Sequence, residues 1–336
     1  MKNKCLMFVV FLLLSQLVGA QIYNVPKAKT KRWQKAQKFK SSFRYWTVGG
    51  YAGVATYHGD LNPRNNYAHG HWTGVRPSFG VDVTWRYSSR FSFRGSLGYS
   101  RLHGDDSKID TDFSKKNVER DSEGARFARN ASFHNNVIEL KADVIIDLFE
   151  NRRNLWSKVQ WTPYMALGMG LIYSNPMGKY KGENYNLRKL GTEGQLLNGG
   201  KSYSPLQFVI PISVGLRYKI NTSMDIALEV GARMTFTDFL DDVSGNYADK
   251  EKLGNPNDIA VLLSDRSVEL SDAQLSALGY ERYNVNGYEY TSVSYSFLPG
   301  QEVPRGNPND RDWYVVTALH FTYVFHPRTY AARYRG

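Results

Sequence analysis

The stretch from Val75 to Arg101 constrains the fold more than any other part of the chain. Val75, Pro77, Phe79, Val81, Val83, Trp85 and Tyr87 make an unbroken apolar row, with Arg76, Ser78, Gly80, Asp82, Thr84 and Arg86 in the places between. Only an extended strand puts residues two apart on one face. After Ser88 and Ser89 the alternation resumes, with Phe91, Phe93, Gly95, Leu97 and Tyr99 against Ser92, Arg94, Ser96, Gly98 and Ser100. Strands of soluble sandwiches run to about 5–6 residues. These run to about a dozen, near the ~9–11 tilted residues that cross a bilayer. Aromatic residues sit towards the strand ends, where rings meet lipid headgroups. The spacing predicts a membrane-spanning β-hairpin whose apolar face looks at lipid.

The same period recurs along the chain. Strands are predicted over 46–58, 133–149, 161–173, 206–219, 224–236 and 313–325, in addition to the hairpin. In 133–149, for example, Ile138, Leu140, Ala142, Val144, Ile146 and Leu148 oppose Glu139, Lys141 and Asp143. The connections alternate long and short, as in outer-membrane barrels with long external loops and short periplasmic turns. The expected fold class is all-β: an eight-stranded antiparallel transmembrane β-barrel with long extracellular loops and both termini periplasmic. Long loops are expected over 103–132, which is polar and dense in Asp, Lys and Arg, and over 174–205. The longest, 238–311, is expected to hold short helices near Asp258–Leu263 and Asp272–Leu278, where the apolar spacing lengthens to three or four.

Residues 1–20 read as a secretory leader, with Lys2 and Lys4, an apolar run Leu6–Leu14, and Val18-Gly19-Ala20 before Gln21. The only cysteine, Cys5, falls in this leader, so no disulfide or cysteine nucleophile is expected beyond it. After Gln21 no run of 18 or more apolar residues exists to make a spanning helix. The division expected is a leader (1–20), a basic periplasmic arm (21–44), the barrel (45–326) and a periplasmic tail (327–336). The formal charge of +12 falls to +10 without Lys2 and Lys4. For an exported protein that balance points to anionic lipid or an acidic partner, and away from nucleic acid.

The arm carries Lys27, Lys29, Lys31, Arg32, Lys35, Lys38 and Lys40, with Trp33 and Phe39 too badly spaced for one helical face. It is either a solvated extension or a docking arm. With Arg152, Arg153 and Lys158 of a short connection, and Arg328, Arg333 and Arg335 of the tail, it would gather positive charge on the periplasmic side. Lys31, Arg32, Lys35, Lys38, Lys40, Arg152, Arg153 and Lys158 are the candidate partner-binding residues.

An eight-stranded barrel is just wide enough for side chains to fill its interior. The inward set is Asp82, Arg86, Arg94, Glu139, Lys141, Asp143, Arg217, Asp225, Glu229 and Arg233. Both signs are present, and unpaired charge in so confined a space is costly. The expectation is a charge network that plugs the lumen, which argues against a general porin. Gly168 and Gly170 are expected to let the wall approach interior side chains.

Catalytic chemistry finds little support. His58, Asp60, His69, His71, His103, Asp105 and Asp106 lie in or beside the first two long loops, yet His69-Gly-His71 lacks a specific metal-ligand spacing. Asp238, Asp241 and Asp242 do not match the EF-hand pattern, and a loop-closing role suits them better. No catalytic, metal or cofactor residues are assigned, and no enzyme activity is expected.

The remaining motifs carry a resemblance. They are Gly59-Asp60-Leu61-Asn62-Pro63, Arg76-Pro77-Ser78-Phe79-Gly80, His103-Gly104-Asp105-Asp106, Asn136-Val137-Ile138-Glu139-Leu140 and Thr162-Pro163-Tyr164. Further along come Leu190-Gly191-Thr192-Glu193-Gly194-Gln195, the run Phe236–Gly245, and Asp312-Trp313-Tyr314. In this order they resemble PorG-like outer-membrane proteins of the type IX secretion system. That resemblance implies a non-enzymatic barrel that meets a periplasmic ring of the PorK lipoprotein and PorN, in support of protein export and, in gliding relatives, motility. An outer-membrane channel or receptor, or an enzyme active at the rim, are the alternative classes.

Overall fold

The computed structural model describes residues 44–61, 74–109, 123–150, 159–298 and 301–325. The candidate partner-binding residues of the arm and of the 152–158 connection lie outside these, as do His69, His71 and the basic tail.

Eight long strands form the wall: β1 (Tyr45–His58), β2 (Val75–Arg86), β3 (Phe91–Asp105), β4 (Ser132–Asp147), β5 (Trp161–Tyr173), β8 (Leu206–Lys219), β9 (Met224–Thr235) and β12 (Trp313–Val324). Each pairs antiparallel with the next in that order, and β12 pairs back onto β1 from Thr47↔Val324 to His58↔Trp313, which closes the ring. Closure leaves no unpaired edge, the condition for a sheet to sit in hydrocarbon. Strands of 12 to 16 residues, at ~3.3 Å per residue and a tilt of ~40°, span ~30 Å or more, the thickness of a bilayer core. Among the described residues no helix is long and apolar enough to cross a membrane.

Alternation decides what each face does. Outward residues stay exposed although apolar: Leu140 is 61% exposed, Met169 63% and Phe321 56%. An apolar surface this continuous is far larger than a soluble monomer carries. Aromatic rings band both ends of it. Near the short turns Trp46 stacks on Trp85 (6.0 Å), Trp85 on Phe93 (6.0 Å), and Trp161 lies 4.4 Å from Tyr218. Near the long loops Phe79 meets Tyr99 (5.0 Å) and Phe208 meets Phe236 (5.8 Å).

Two strand ends and the content of two loops differ from the sequence reading. β3 runs on to Asp105, and β4 stops at Asp147, whose N–H donates to Arg90 O in register with the β3 ladder. The 174–205 loop begins with a hairpin: β6 (Pro176–Tyr180) pairs with the start of β4 and carries β7 (Glu183–Asn186). The long connection holds the two expected helices, at Ile259–Ser264 and Asp272–Leu278, with a further turn at Lys250–Leu253. It also contains a hairpin of β10 (Arg282–Val285) and β11 (Tyr288–Thr291). Tyr288 and Tyr290 sit too close to Asn286-Gly287, a turn with both φ values positive, for the pairing to declare itself as a strand period.

Candidate functional site

The lumen has two layers. The middle and the short-turn end hold the charged residues. Arg94 of β3 reaches across to β9, with Nη1 2.7 Å and Nη2 3.0 Å from the two oxygens of Glu229, while Nε and Nη2 hold Asp143 Oδ2 at 3.1 and 2.9 Å. Tyr164 donates to Glu229 (2.8 Å) and Lys141 to Asp143. Arg86 and Arg217 share Asp147, and Arg217 lies over the Tyr164 ring at 4.8 Å. Arg233 stands 3.5 Å from Glu139, and His320 lies 3.5 Å from Asp82. Asp225 is buried on the same inner surface. The sequence reading missed Asp147 and His320, although each falls on the inward parity of its strand. The Gly168 position explains the close packing: a Cβ there would collide with Asp143 Oδ1. The cavities left in this layer measure about 40 and 10 Å³, room for no more than a few waters. These pairs bind the wall together across the lumen, although Asp82 Oδ2, Glu139 Oε1 and Arg233 Nε are buried there without a hydrogen bond.

The long-loop end is apolar and is filled from outside the wall. Inward side chains Tyr51, Ala55, Leu102, Phe133, Val137, Ile172, Val209 and Tyr314 form one buried cluster with Leu61, Leu240 and Val243. The last two are fully buried and come from the segment Asp238–Gly245, which therefore plugs the mouth. What holds it is a set of carboxylates. The Tyr57 hydroxyl lies 2.7 Å from Asp241 Oδ2 and 2.5 Å from Asp312 Oδ1. Leu61 N donates to Asp241 Oδ2 (3.1 Å), Val243 N to Asp241 Oδ1 (2.9 Å) and Leu240 N to Asp312 Oδ2 (2.8 Å). A phenol has one proton, so it cannot serve two carboxylates at once. The arrangement closes only if the acid pair keeps a proton of its own. Burial, and after it a neighbouring carboxylate (Asp60 for Asp241, Asp241 for Asp312), pushes both well above the usual range.

Further clamps come from other loops. Asp242, in the left-handed region at φ 69°, accepts from Thr192 and from the Tyr203 hydroxyl (2.8 Å). Glu193 takes the backbone N–H groups of Ser244 (2.9 Å) and Gly245 (3.0 Å) and pairs with Arg305 Nη1 (3.1 Å). Asn135 Nδ2 donates to Leu240 O (2.7 Å). Asp60 accepts from Asn307 N (2.8 Å), and Arg129 joins Asp106 (2.7 Å) to Asp60 O (2.8 Å) and Arg305 O (2.9 Å).

The residues scattered through the sequence motifs thus meet at one lock. Asp60 and Leu61, Asp106, Thr192 and Glu193, Asp238–Gly245 and Asp312 all contribute to it. Of the expected rim set, Asp60 and Asp106 belong to the lock, while the other described members, His58, His103 and Asp105, stand apart from it. His58 stacks on Trp313 at 4.3 Å, His103 Nδ1 lies 2.7 Å from Phe133 O, and Asp105 caps Ser107 N at 3.0 Å. Asp106 is buried against Arg129. Among the described residues no three Asp, Glu, His or Cys side chains are grouped to hold a cation. Arg129, Arg305 and Asn135 escaped the sequence reading because their partners lie on loops far along the chain.

The pairings define a closed eight-stranded antiparallel β-barrel of the outer-membrane type. The chain belongs to the DUF6089 family, a domain of unknown function whose model matches residues 37–258. No curated protein matches it. Solved structures similar to it include the Neisserial surface protein A (11% identity, TM-score 0.34, covering 83% of this chain and 97% of that one). Ail of Yersinia pestis, solved with the heparin analogue sucrose octasulfate, is 9% identical with a TM-score of 0.33, covering 84% of this chain and 98% of that one. The N-terminal barrel domain of Pseudomonas aeruginosa OprF is 9% identical with a TM-score of 0.31, covering 83% and 97%. At these scores the likeness adds no weight to the fold, which rests on the closed ring of pairings.

Proposed function

We propose that the protein is a non-enzymatic outer-membrane component of the type IX protein secretion machinery that docks a periplasmic ring of PorK and PorN. The observation that carries this reading is the lock. Five of the eight motifs that resemble PorG-like proteins contribute residues to this one buried cluster, and the other three lie in the strands of the wall. An apolar belt with an aromatic band at each end supports residence in the outer membrane. A lumen filled by ion pairs and stoppered by Leu240 and Val243 favours an anchoring role over a channel. Among the described residues of the rim set, His58, His103 and Asp105 are not grouped around a reacting centre, which lends a surface enzyme no support.

On this reading both termini face the periplasm. The basic arm, with Lys31, Arg32, Lys35, Lys38 and Lys40, and the connection, with Arg152, Arg153 and Lys158, would present positive charge to an acidic ring surface or to inner-leaflet phospholipid. Purification of the full chain from outer membranes in mild detergent tests it. Ring proteins are expected to come with it in stable amounts, and reversing the charge of Lys35, Lys38 and Lys40 should weaken their recovery, more at low salt. A barrel recovered alone, from cells whose secretion survives its deletion, would overturn the reading.

A further inference from the structure

Arg76, His103 and Asn136 each open a sequence motif, and none of the three belongs to the lock. They lie at the long-loop ends of neighbouring strands, β2, β3 and β4. Register brings further basic groups to them. Arg101 faces Asn136 across the β3–β4 ladder, and His103 faces His134. His134 also faces Met177 of β6, and Lys179 is the next residue on that face. Arg101, His103, His134 and Lys179 therefore share the outward face with the apolar belt. Arg76 joins them from the edge: the β2–β3 ladder ends at Ser78↔Ser100, and Arg76 lies near enough to Arg101 for the two charges to repel. Arg101, His103 and Lys179 likewise repel a charge on His134.

The row is not neutralised from within. Among the described residues the side chains of Arg101 and Lys179 have no ion pair and no hydrogen bond, and both are exposed. Arg76 commits only Nη1, to Val75 O (2.9 Å), and His103 only Nδ1, beside Phe133 O (2.7 Å). Asp105, which lies within reach of Arg76 and His103, already accepts from Ser107 N (3.0 Å) and the Ser107 hydroxyl (2.6 Å). Like charges held side by side repel, and an anion with several charge-assisted bonds to them turns that cost into attraction.

Height on the wall names the anion. Two residues nearer the membrane on the same face, Tyr99 lies against Phe79 (5.0 Å) in the aromatic band, and Ile138 is 49% exposed in the apolar belt. The basic row thus begins one step beyond the rings, where lipid headgroups meet the wall. Across β2, β3, β4 and β6, at ~4.8 Å between neighbours, it is ~14 Å wide, broad enough to meet more than one phosphate. Asn136 accepts from the Tyr99 hydroxyl through Oδ1 (2.8 Å), which leaves its amide nitrogen to donate to a sugar oxygen. We infer that Arg76, Arg101, His103, His134 and Lys179 form a site for a phosphorylated glycolipid of the outer leaflet, its acyl chains along the apolar face of β2 to β4. The inference rests on residence in the outer membrane and not on the secretion role.

Native mass spectrometry of the full chain in mild detergent tests this by titration with an acylated, bis-phosphorylated glucosamine disaccharide. The comparison probes are the same lipid without phosphates and the bis-phosphorylated sugar without acyl chains. The complete glycolipid is expected to bind at least about tenfold more tightly than either, the effect of one charge-assisted bond or more. Arg101→Gln with Lys179→Gln should cut its preference over the dephosphorylated lipid by about tenfold. Arg311→Gln, which removes a charge over the Phe236 ring elsewhere on the rim, should leave that preference unchanged. Heat-modifiable mobility on gels should stay the same in every variant. Equal binding of phosphorylated and dephosphorylated lipid would overturn the site, as would a preference that survives the double change. A deacylated sugar that binds as well as the lipid would overturn the headgroup assignment. Each of these leaves membrane residence standing, whereas a chain that stays dispersed once detergent is removed would take away the premise itself.

Discussion

The Tyr57 hydroxyl decides the chemistry of the mouth, because its one proton leaves the Asp241–Asp312 pair to hold another. Nearby acids lean the same way. Burial pushes Asp60 up to about 6 and Asp238 to about 7, and raises Asp242 to about 6 against the pull of Arg305. The Asn307 N–H, and after it Arg129 and Arg126, hold Asp60 from rising further. Each of these carboxyls binds its proton more tightly folded than unfolded, where the value is about 3.9. The stability they contribute is therefore complete below about pH 4 and is lost as pH rises through about 6 to 7. The lock should accordingly loosen from pH 5 to pH 8. Hydrogen exchange at the amides of Leu240 and Val243, corrected for intrinsic rate, checks this, and Asp238→Asn should flatten the upper part of the dependence. Protection that increases over the same range would contradict the protonated pair.

At the scale of elements, strands and lock differ in how they are encoded. The wall was legible because a period of two over a dozen residues has no other use, and the register comes from keeping every apolar side chain on the lipid face. The lock was legible only as separate motifs. Asp241 and Asp242 read correctly as loop-closing acids, yet nothing in the string ties Tyr57 to Asp312, which stand 255 residues apart. Nor do Leu240 and Val243 announce themselves as a stopper, since a two-residue apolar contribution has no period. The loop glycines carry some of the missing information. A Cβ on Gly59 would collide with Asp312 Oδ1 and the Tyr57 hydroxyl, whereas one on Gly95 meets nothing within 4 Å. Gly59→Ala is therefore expected to destabilise the lock by about 1–3 kcal/mol, the usual cost of overpacking, and Gly95→Ala to be neutral. Limited proteolysis at 238–245 should separate the two, with the heat-modifiable mobility of the barrel on gels unchanged in both.

The whole molecule is closed twice, by layers of opposite chemistry in series. The apolar stopper fills the long-loop end, and the network centred on Arg94, Asp143 and Glu229 fills the middle. Each layer leans on the wall and neither includes the other's residues, so either alone should block ion flow. The native protein in planar bilayers is expected to show no steady conductance. Leu240→Ser with Val243→Ser should wet the mouth and still not conduct, because the ion pairs below remain. Arg94→Ala with Glu229→Ala should not conduct either, although removing Arg94 alone would strand buried acids at a cost of about 3–5 kcal/mol. Only the fourfold variant should open discrete steps, and its conductance should then exceed the sum of the two double variants. Steady current through the native barrel would mean that the lumen is a pathway, and the anchoring role would lose its main physical support.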